Sequence, residues 1–350
     1  MNAEELARLR DLDLRTAWKP FTDMREYLRS EPLVIERGEG NWLFDAAGRK
    51  LFDAVSSMWC NLFGHRVPEI DAAIRNQLDR VAHSTALGPT HPGAVELAGR
   101  LVKIAPGNLS RVFYTDSGSE AVEAALKLAV GSWRYRGRPE KTRIASLREG
   151  YHGDTLGAVS VGGISAFHAE WRPLCFESIQ VPGPSGEEDA AAALAELFAE
   201  RSGEIAALVM EPLVQAAGGM LFSRPGFLAE TRRLCSEHDV LLILDEVATG
   251  FGRTGRRFAC EHEGVAPDVL CVAKGITGGY LPIAATLATE EIFSSFLAEG
   301  DEERRVFYHG HTYTANPLGC AAALAALDLL ERELPHLEAR SRRLRELLEP

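Results

Sequence analysis

Lysine is scarce in this chain. Only six of its 350 residues are lysine (19, 50, 103, 127, 141 and 274), so few side chains can serve as an amine nucleophile. Its six cysteines (60, 175, 235, 260, 271 and 320) include no C-x-x-C pair. That excludes a thiolate zinc site or disulfide framework and fits free thiols in a reducing compartment. No apolar run approaches a membrane span, and the charged start Met1–Arg10 lacks the apolar stretch of a signal peptide, so a cytoplasmic protein is expected. G-x-x-x-x-G-K-[ST] is missing, which removes the phosphate loop of nucleotide triphosphatases. G-x-S-x-G is missing too, which removes the usual α/β-hydrolase. Basic residues number 38 against 50 acidic, net −12, so neither nucleic acid nor an anionic membrane is an expected partner.

What is present is a chain with 46% hydrophobic residues, enough for one large core or two domains. Residues 33–55 alternate and turn like a small antiparallel sheet. Beyond residue 68, helical periodicity over 69–81, 92–104, 119–136, 189–201 and 226–238 alternates with strand-like runs. Those runs begin at Arg111, Arg143, Ser178, Ala206, Val240 and Val269. Such alternation predicts an α/β fold, a mostly parallel sheet covered by helices on both faces. Pro182–Glu188 is expected to be a surface loop. Leu337–Glu349 is expected to be a charged helix that opens another unit.

Lys274 is the one lysine that follows an apolar β-run, Val269–Val272, and it precedes a glycine that lets a ligand approach. Lys103 and Lys127 fall in helical patterns, Lys19 precedes a proline, and Lys50 and Lys141 fall in charged turns. Asp245 ends another apolar run, Leu241–Leu244, and places a carboxylate at a second strand end. Ser117 and Glu120 form an S-x-x-E capping box. Gly118 and Ser119 in the same turn could also present N–H groups and a hydroxyl to a phosphate at a helix start. Tyr151, between Gly150 and Gly153, is suited either to stacking on a planar ring or to anchoring its loop.

Gly250–Gly255 matches G-x-G-x-x-G but is set off from its strand by five residues and precedes no good helix. A chance match in a turn-rich loop is expected, and a nicotinamide dehydrogenase is the rival it would support. Glu261-His262-Glu263 and His309-Gly310-His311 lack companions at metal spacing and are expected to be exposed loop residues. Pyridoxal 5'-phosphate needs a Schiff-base lysine, an acid for its pyridine nitrogen, a phosphate cradle and a stacking aromatic, and these pieces meet that need together.

The chain resembles the class III (ω-type) aminotransferases of fold type I from about Trp18 onward. The matching motifs are Asp116-Ser-Gly-Ser-Glu, Gly150-Tyr-His-Gly-Asp, Leu244-Asp-Glu-Val-Ala-Thr-Gly-Phe-Gly-Arg-Thr-Gly, Lys274-Gly-Ile-Thr-Gly-Gly and His309-Gly-His-Thr-Tyr. Trp18-Lys-Pro-Phe-Thr, Ser56-Ser-Met-Trp and Phe258-Ala-Cys-Glu-His-Glu are most similar to members of biotin synthesis. These convert 8-amino-7-oxononanoate to 7,8-diaminononanoate. Other ω-aminotransferases or an aminomutase are the alternative within the class, and a non-catalytic relative that only dimerises lies outside it.

The resemblance makes Lys274 the Schiff-base lysine and Asp245 the pyridine-nitrogen partner. It implies that Gly118, Ser119, Tyr151, His311 and Thr312 bind the cofactor, with Thr312 reaching the phosphate of a neighbouring subunit in a homodimer with shared active sites. Phe21, Met58, Trp59, Tyr151, Arg253 and Gly310 are the implied substrate contacts, with Arg253 on a carboxylate. Members using S-adenosylmethionine as donor carry tyrosine at Phe21, tryptophan at Met58 and proline at His311. This chain is more similar there to the branch that uses lysine.

The resemblance further implies that residues 1–67 contribute to a small α+β domain, that 68–330 form the large cofactor-binding domain, and that 331–350 begin an incomplete C-terminal part of the small domain. Members of the family continue past Pro350 and supply an arginine for the acceptor carboxylate from there. Either a fragment or a wrongly predicted gene end is therefore expected.

Overall fold

A computed structural model describes residues 1–186, 188–298, 300 and 303–348. Glu187 of the expected surface loop, and Glu349 and Pro350 at the end of the expected last helix, lie outside the described residues. The small antiparallel sheet expected at 33–55 is present as β1 (Ile35–Glu39), β2 (Trp42–Asp45) and β3 (Lys50–Phe52). Gly48, at φ 85°, makes the turn between β2 and β3, a conformation glycine adopts without steric cost.

The main sheet has seven strands: β4 (Leu109–Thr115), β5 (Arg143–Leu147), β6 (Ile179–Val181), β7 (Ile205–Met210), β10 (Leu241–Asp245), β11 (Val269–Val272) and β12 (Ala284–Thr289). A short ribbon, β8 (Val214–Gln215) and β9 (Leu221–Phe222), follows β7. The main order is β4-β12-β11-β10-β7-β5-β6. All neighbours pair in parallel except β12, which is antiparallel to both β11 and β4.

Every residue of β7, β10, β11 and β12 is buried, because both faces of the sheet are covered. Leu208, Leu242, Leu244 and Leu270 point to one side, against Leu97, Leu194, Phe198 and Leu228 of the helices Pro92–Ile104, Ala190–Arg201 and Phe227–Glu237. Ala207, Val209, Ile243 and Cys271 point to the other, against Val122, Ala125 and Trp133 of the helix Gly118–Tyr135. This is the α/β architecture expected from the alternation.

β12 carries no β-sheet signature beyond its length, since its residues are small. Their size has a packing reason: Ala284 and Ala288 share a cluster with Ala121 and Ala125 of the helix Gly118–Tyr135, and Thr286 Oγ1 donates to Ala121 O at 2.7 Å. Lys141, expected in a charged turn, is buried. Its Nζ donates to Ser202 O at 2.7 Å and lies 4.5 Å from the Trp133 ring centroid. The last helix runs unbroken from Pro317 to Leu348, across residue 330, and its buried face ends at Leu330. Among the described residues no helix is long and apolar enough to cross a membrane, and no His/Cys/Asp/Glu group could hold a metal ion.

Candidate active site

Parallel strands deliver their following loops to one edge of a sheet, where ligands bind in open α/β folds. Here the loops after β4, β5, β7, β10 and β11 converge on a cavity of about 690 Å³. Gly118, Ser119, Tyr151, Asp245, Lys274 and Trp59, six of the residues singled out in the sequence, line it.

The loop after β4 turns into the helix Gly118–Tyr135 through the capping box. Glu120 N donates to Ser117 Oγ at 3.2 Å, and Glu120 Oε2 accepts from Ser117 N at 2.9 Å and Asp116 N at 3.0 Å. The box does not compete with an anion site, because the first helical N–H groups beyond it still lack helical partners. A Cβ on Gly118 would lie 2.6 Å from Val247 Cγ1, so glycine is required where this helix start meets the loop after β10. Ser119 Oγ is 2.7 Å from Thr155 Oγ1 and accepts from Thr155 N at 3.0 Å, which ties the helix start to the loop after β5.

Tyr151 in that second loop stacks on His168 with the rings 9° from parallel, and its hydroxyl donates to Asp154 Oδ2 at 2.8 Å. Burial and the Asp154 carboxylate raise the pKa of this phenol above its ordinary value.

Asp245 and Glu246 divide at the end of β10. Asp245 faces the cavity, accepts from Val247 N at 3.0 Å and lies 2.8 Å from His152 Nδ1. Glu246 turns away and accepts from Ala259 N, Cys260 N and Thr249 Oγ1 at 2.8, 2.8 and 2.7 Å. Its burial raises its carboxyl pKa despite those donors. Asp245 is thus the carboxylate a ligand can meet, and Glu246 anchors the loop at 259–260.

Lys274 follows β11 with φ at 25°, outside the regions a non-glycine residue ordinarily occupies, next to Ala273 at φ −157° and ψ −129°. Unusual backbone of this kind marks sites where the surroundings hold a side chain in place. Burial lowers the pKa of its ammonium below the ordinary value, against the opposing pull of Asp245, Glu211 and Cys60. Gly275 was expected to admit a ligand, but it faces inward: a Cβ there would meet Leu62 Cδ1 at 2.9 Å and Phe251 Cβ at 3.2 Å.

Trp59 closes the opposite side, with Lys274 Nζ 5.4 Å from its ring centroid. It ends a run of four left-handed residues, Ser56 to Trp59, with φ from 48° to 70°. Asp53 braces the run, accepting from Ser57 N at 2.9 Å and Ser57 Oγ at 2.7 Å.

The other six singled-out residues lie outside the cavity lining. Phe21 is exposed and reaches the site through Phe167, edge-on at 5.4 Å, which in turn packs on Tyr151. Met58 is exposed on the left-handed run, and Arg253 donates to Trp59 O at 2.9 Å on the far side of Trp59. His311 Nδ1 is 3.6 Å from Asp116, which does line the cavity, while Gly310 and Thr312 are exposed beyond it.

His152 and Glu211 also line the cavity, and neither is assigned a role by the motifs alone. His152 lay in view inside Gly-Tyr-His-Gly-Asp, yet its partner is 93 positions away. Glu211 follows β7 directly, the same strand-end signal that marks Asp245.

An aromatic phosphate bearing a ring nitrogen and a carbonyl is compatible with this lining. It offers a carboxylate, an amine whose charged form burial disfavours, a flat aromatic wall and a helix start that only glycine fits.

The family Aminotransferase class-III matches residues 25–349. The adenosylmethionine-8-amino-7-oxononanoate aminotransferase of Geobacter sulfurreducens is 52% identical over 338 residues, covering 93% of this chain and 74% of the relative. Among solved structures, the aminotransferase of that name from Methanocaldococcus jannaschii aligns with a TM-score of 0.92 and 45% identity, over 97% of this chain and 78% of the other. An (S)-enantioselective omega-transaminase from Thermomicrobium roseum aligns at 0.88 and 37% identity, over 95% and 76%. By the extent of these matches, the chain belongs to the class III aminotransferases.

Proposed function

We propose that the chain is a pyridoxal-phosphate transaminase that converts 8-amino-7-oxononanoate to 7,8-diaminononanoate in biotin synthesis, with S-adenosylmethionine or lysine as amino donor. The observation that carries this is Lys274 and Asp245 on one cavity, at the ends of the neighbouring parallel strands β11 and β10. Relatives bearing that activity in their names, at 44–52% identity, support the substrate. A pyridoxal-phosphate-bound amine transaminase, 37% identical, supports the cofactor.

When bound, pyridoxal phosphate supplies a carbonyl that condenses with amines and a ring that accepts the electron pair left by a departing Cα proton. Asp245 would ion-pair with its ring nitrogen, and Gly118 and Ser119 would hold its phosphate at the helix start. Tyr151 would cover its ring. Lys274, whose charged form burial disfavours, would bond the cofactor and then carry a proton to and from the substrate carbon. Trp59, with Phe21, Met58, Arg253 and Gly310, would bound the substrate. The exposed Thr312 and its neighbour His311 would complete the phosphate site of a second copy, which makes the working unit a homodimer. Residues 1–67 and 331–350 would belong with a small domain beside the large one. Free cysteines throughout, with no disulfide, are in keeping with a cytoplasmic enzyme.

The test is an assay with the keto acceptor and either S-adenosylmethionine or lysine. Product from one donor and its loss in Lys274→Ala are expected. Protein that binds no pyridoxal phosphate, or a Lys274→Ala variant that keeps the lysine-bound cofactor absorption, would overturn the proposal.

A further inference from the structure

Ser119 and Thr155 both line the cavity, and their hydroxyl oxygens lie 2.7 Å apart. Ser119 Oγ also accepts from Thr155 N at 3.0 Å. Thr155 stands at the N-cap of the short helix Leu156–Val161, where a threonine oxygen ordinarily accepts from one of the first helical N–H groups. Here its side chain makes no such bond. Glu123, one turn beyond Ser119 on the helix Gly118–Tyr135, takes that place: its Oε1 accepts from Gly157 N at 2.7 Å. The approach requires glycine, since a Cβ on Gly157 would lie 2.3 Å from Glu123 Oε2. Thr155 is thereby released from capping, and its hydroxyl serves Ser119 instead.

Counting hydrogens gives the consequence. A hydroxyl has one donor hydrogen and two acceptor lone pairs. Thr155 N fills one lone pair of Ser119 Oγ. When the Thr155 hydroxyl donates to Ser119, it fills the other, and the Ser119 hydrogen is left for a ligand. When Ser119 donates instead, the Thr155 hydrogen is left. A phosphate dianion only accepts, so either arrangement offers it one hydroxyl hydrogen beside the free N–H groups of the helix start.

We propose that Thr155 is a further residue of the phosphate site, paired with Ser119 as a two-hydroxyl donor, and that Glu123 is the positioning residue that frees it. This rests on the pyridoxal-phosphate reading of the cavity.

Two readouts test it: the Kd for pyridoxal phosphate by absorbance titration, and the phosphorus-31 resonance of the bound phosphate in the holoenzyme. Thr155→Val keeps the shape and the backbone N–H but removes the hydroxyl. It should raise Kd about tenfold and move the phosphorus resonance, because a bond to a charged group is lost. Thr155→Ser should bring Kd back to within about threefold of wild type, and the resonance with it. Pyridoxal, which lacks the phosphate, should bind wild type and Thr155→Val alike, which separates a lost phosphate contact from a damaged fold. Glu123→Ala should raise the pyridoxal-phosphate Kd by itself, and the double variant should lose no more than Thr155→Val alone. Unchanged Kd and resonance in Thr155→Val, or an equal loss for pyridoxal, overturns the role of Thr155. Losses that add in the double variant overturn that of Glu123. A wild-type protein that binds no pyridoxal phosphate overturns the underlying function instead.

Discussion

Gly153 and Ser119 meet so closely that a Cβ on the glycine would lie 2.3 Å from the serine Oγ. The contact locks the loop after β5 onto the helix start after β4, and Gly153 holds it at φ 119°. Gly153→Ala is expected to lose roughly 1–3 kcal/mol of stability through backbone strain and the clash. The tyrosine loop and the helix start should separate, so added pyridoxal phosphate should raise the melting temperature less than it does for wild type. Thermal unfolding with and without the cofactor measures both.

Lys274 carries a pH signature of its own. Its folded pKa lies below the unfolded value, so the unfolded chain binds more protons between the two. Stability of the apoprotein from this group therefore rises with pH through that window and is lowest below the folded pKa. Lys274→Met should stabilise the apoprotein at neutral pH, with the advantage shrinking toward the ordinary lysine value of 10.5. Denaturant melts at several pH values read this directly.

Glu211 has the opposite slope. With its folded pKa at about 7 and an ordinary value of 4.5, the folded protein binds more protons across that interval. Stability from this group falls as pH rises through it, by up to about 3 kcal/mol at about 1.4 kcal/mol per unit. Glu211→Gln should gain relative to wild type from acid to neutral pH in chemical denaturation.

Adjacent carboxylates should differ in their bearing on chemistry. Asp245→Asn keeps an acceptor for Val247 N but sets its amide nitrogen against His152 Nδ1, so it should cost about 1–3 kcal/mol, while activity falls roughly a hundredfold or more. Glu246→Gln puts an amide donor against Ala259 N or Cys260 N and should cost about 1–3 kcal/mol. Paired melting curves and rate measurements distinguish the two.

Much of this site is legible in the chain because strand ends have a local signal. Val269–Val272 before Lys274 and Leu241–Leu244 before Asp245 are apolar runs that stop at a polar residue. The capping box at Ser117 and Glu120 is equally local. The turn-rich loop expected at Gly250–Gly255 is present, with Phe251, Gly252 and Gly255 at positive φ and only a short 3-10 helix, Ala259–His262, after it.

What escapes is set by distance or backbone. The His152–Asp245 pair depends on strand order, and β12 joins the sheet with alanines and threonines that pattern alone does not mark. Four consecutive left-handed residues ending at Trp59 have no glycine to announce them. Lys141 reads as a surface charge until Trp133 is folded over it.

Asp245 stands opposite Cys271 in the pairing of β10 with β11, three residues before Lys274. The spacing of carboxylate and amine is therefore tied to a hydrogen-bonded ladder, whose strands sit about 4.8 Å apart in any sheet. Trp59 and Tyr151 hang on loops with no such rule. Directed evolution of a site built this way can redraw which molecules enter by changing the loops, while this carboxylate and amine keep their separation through every round.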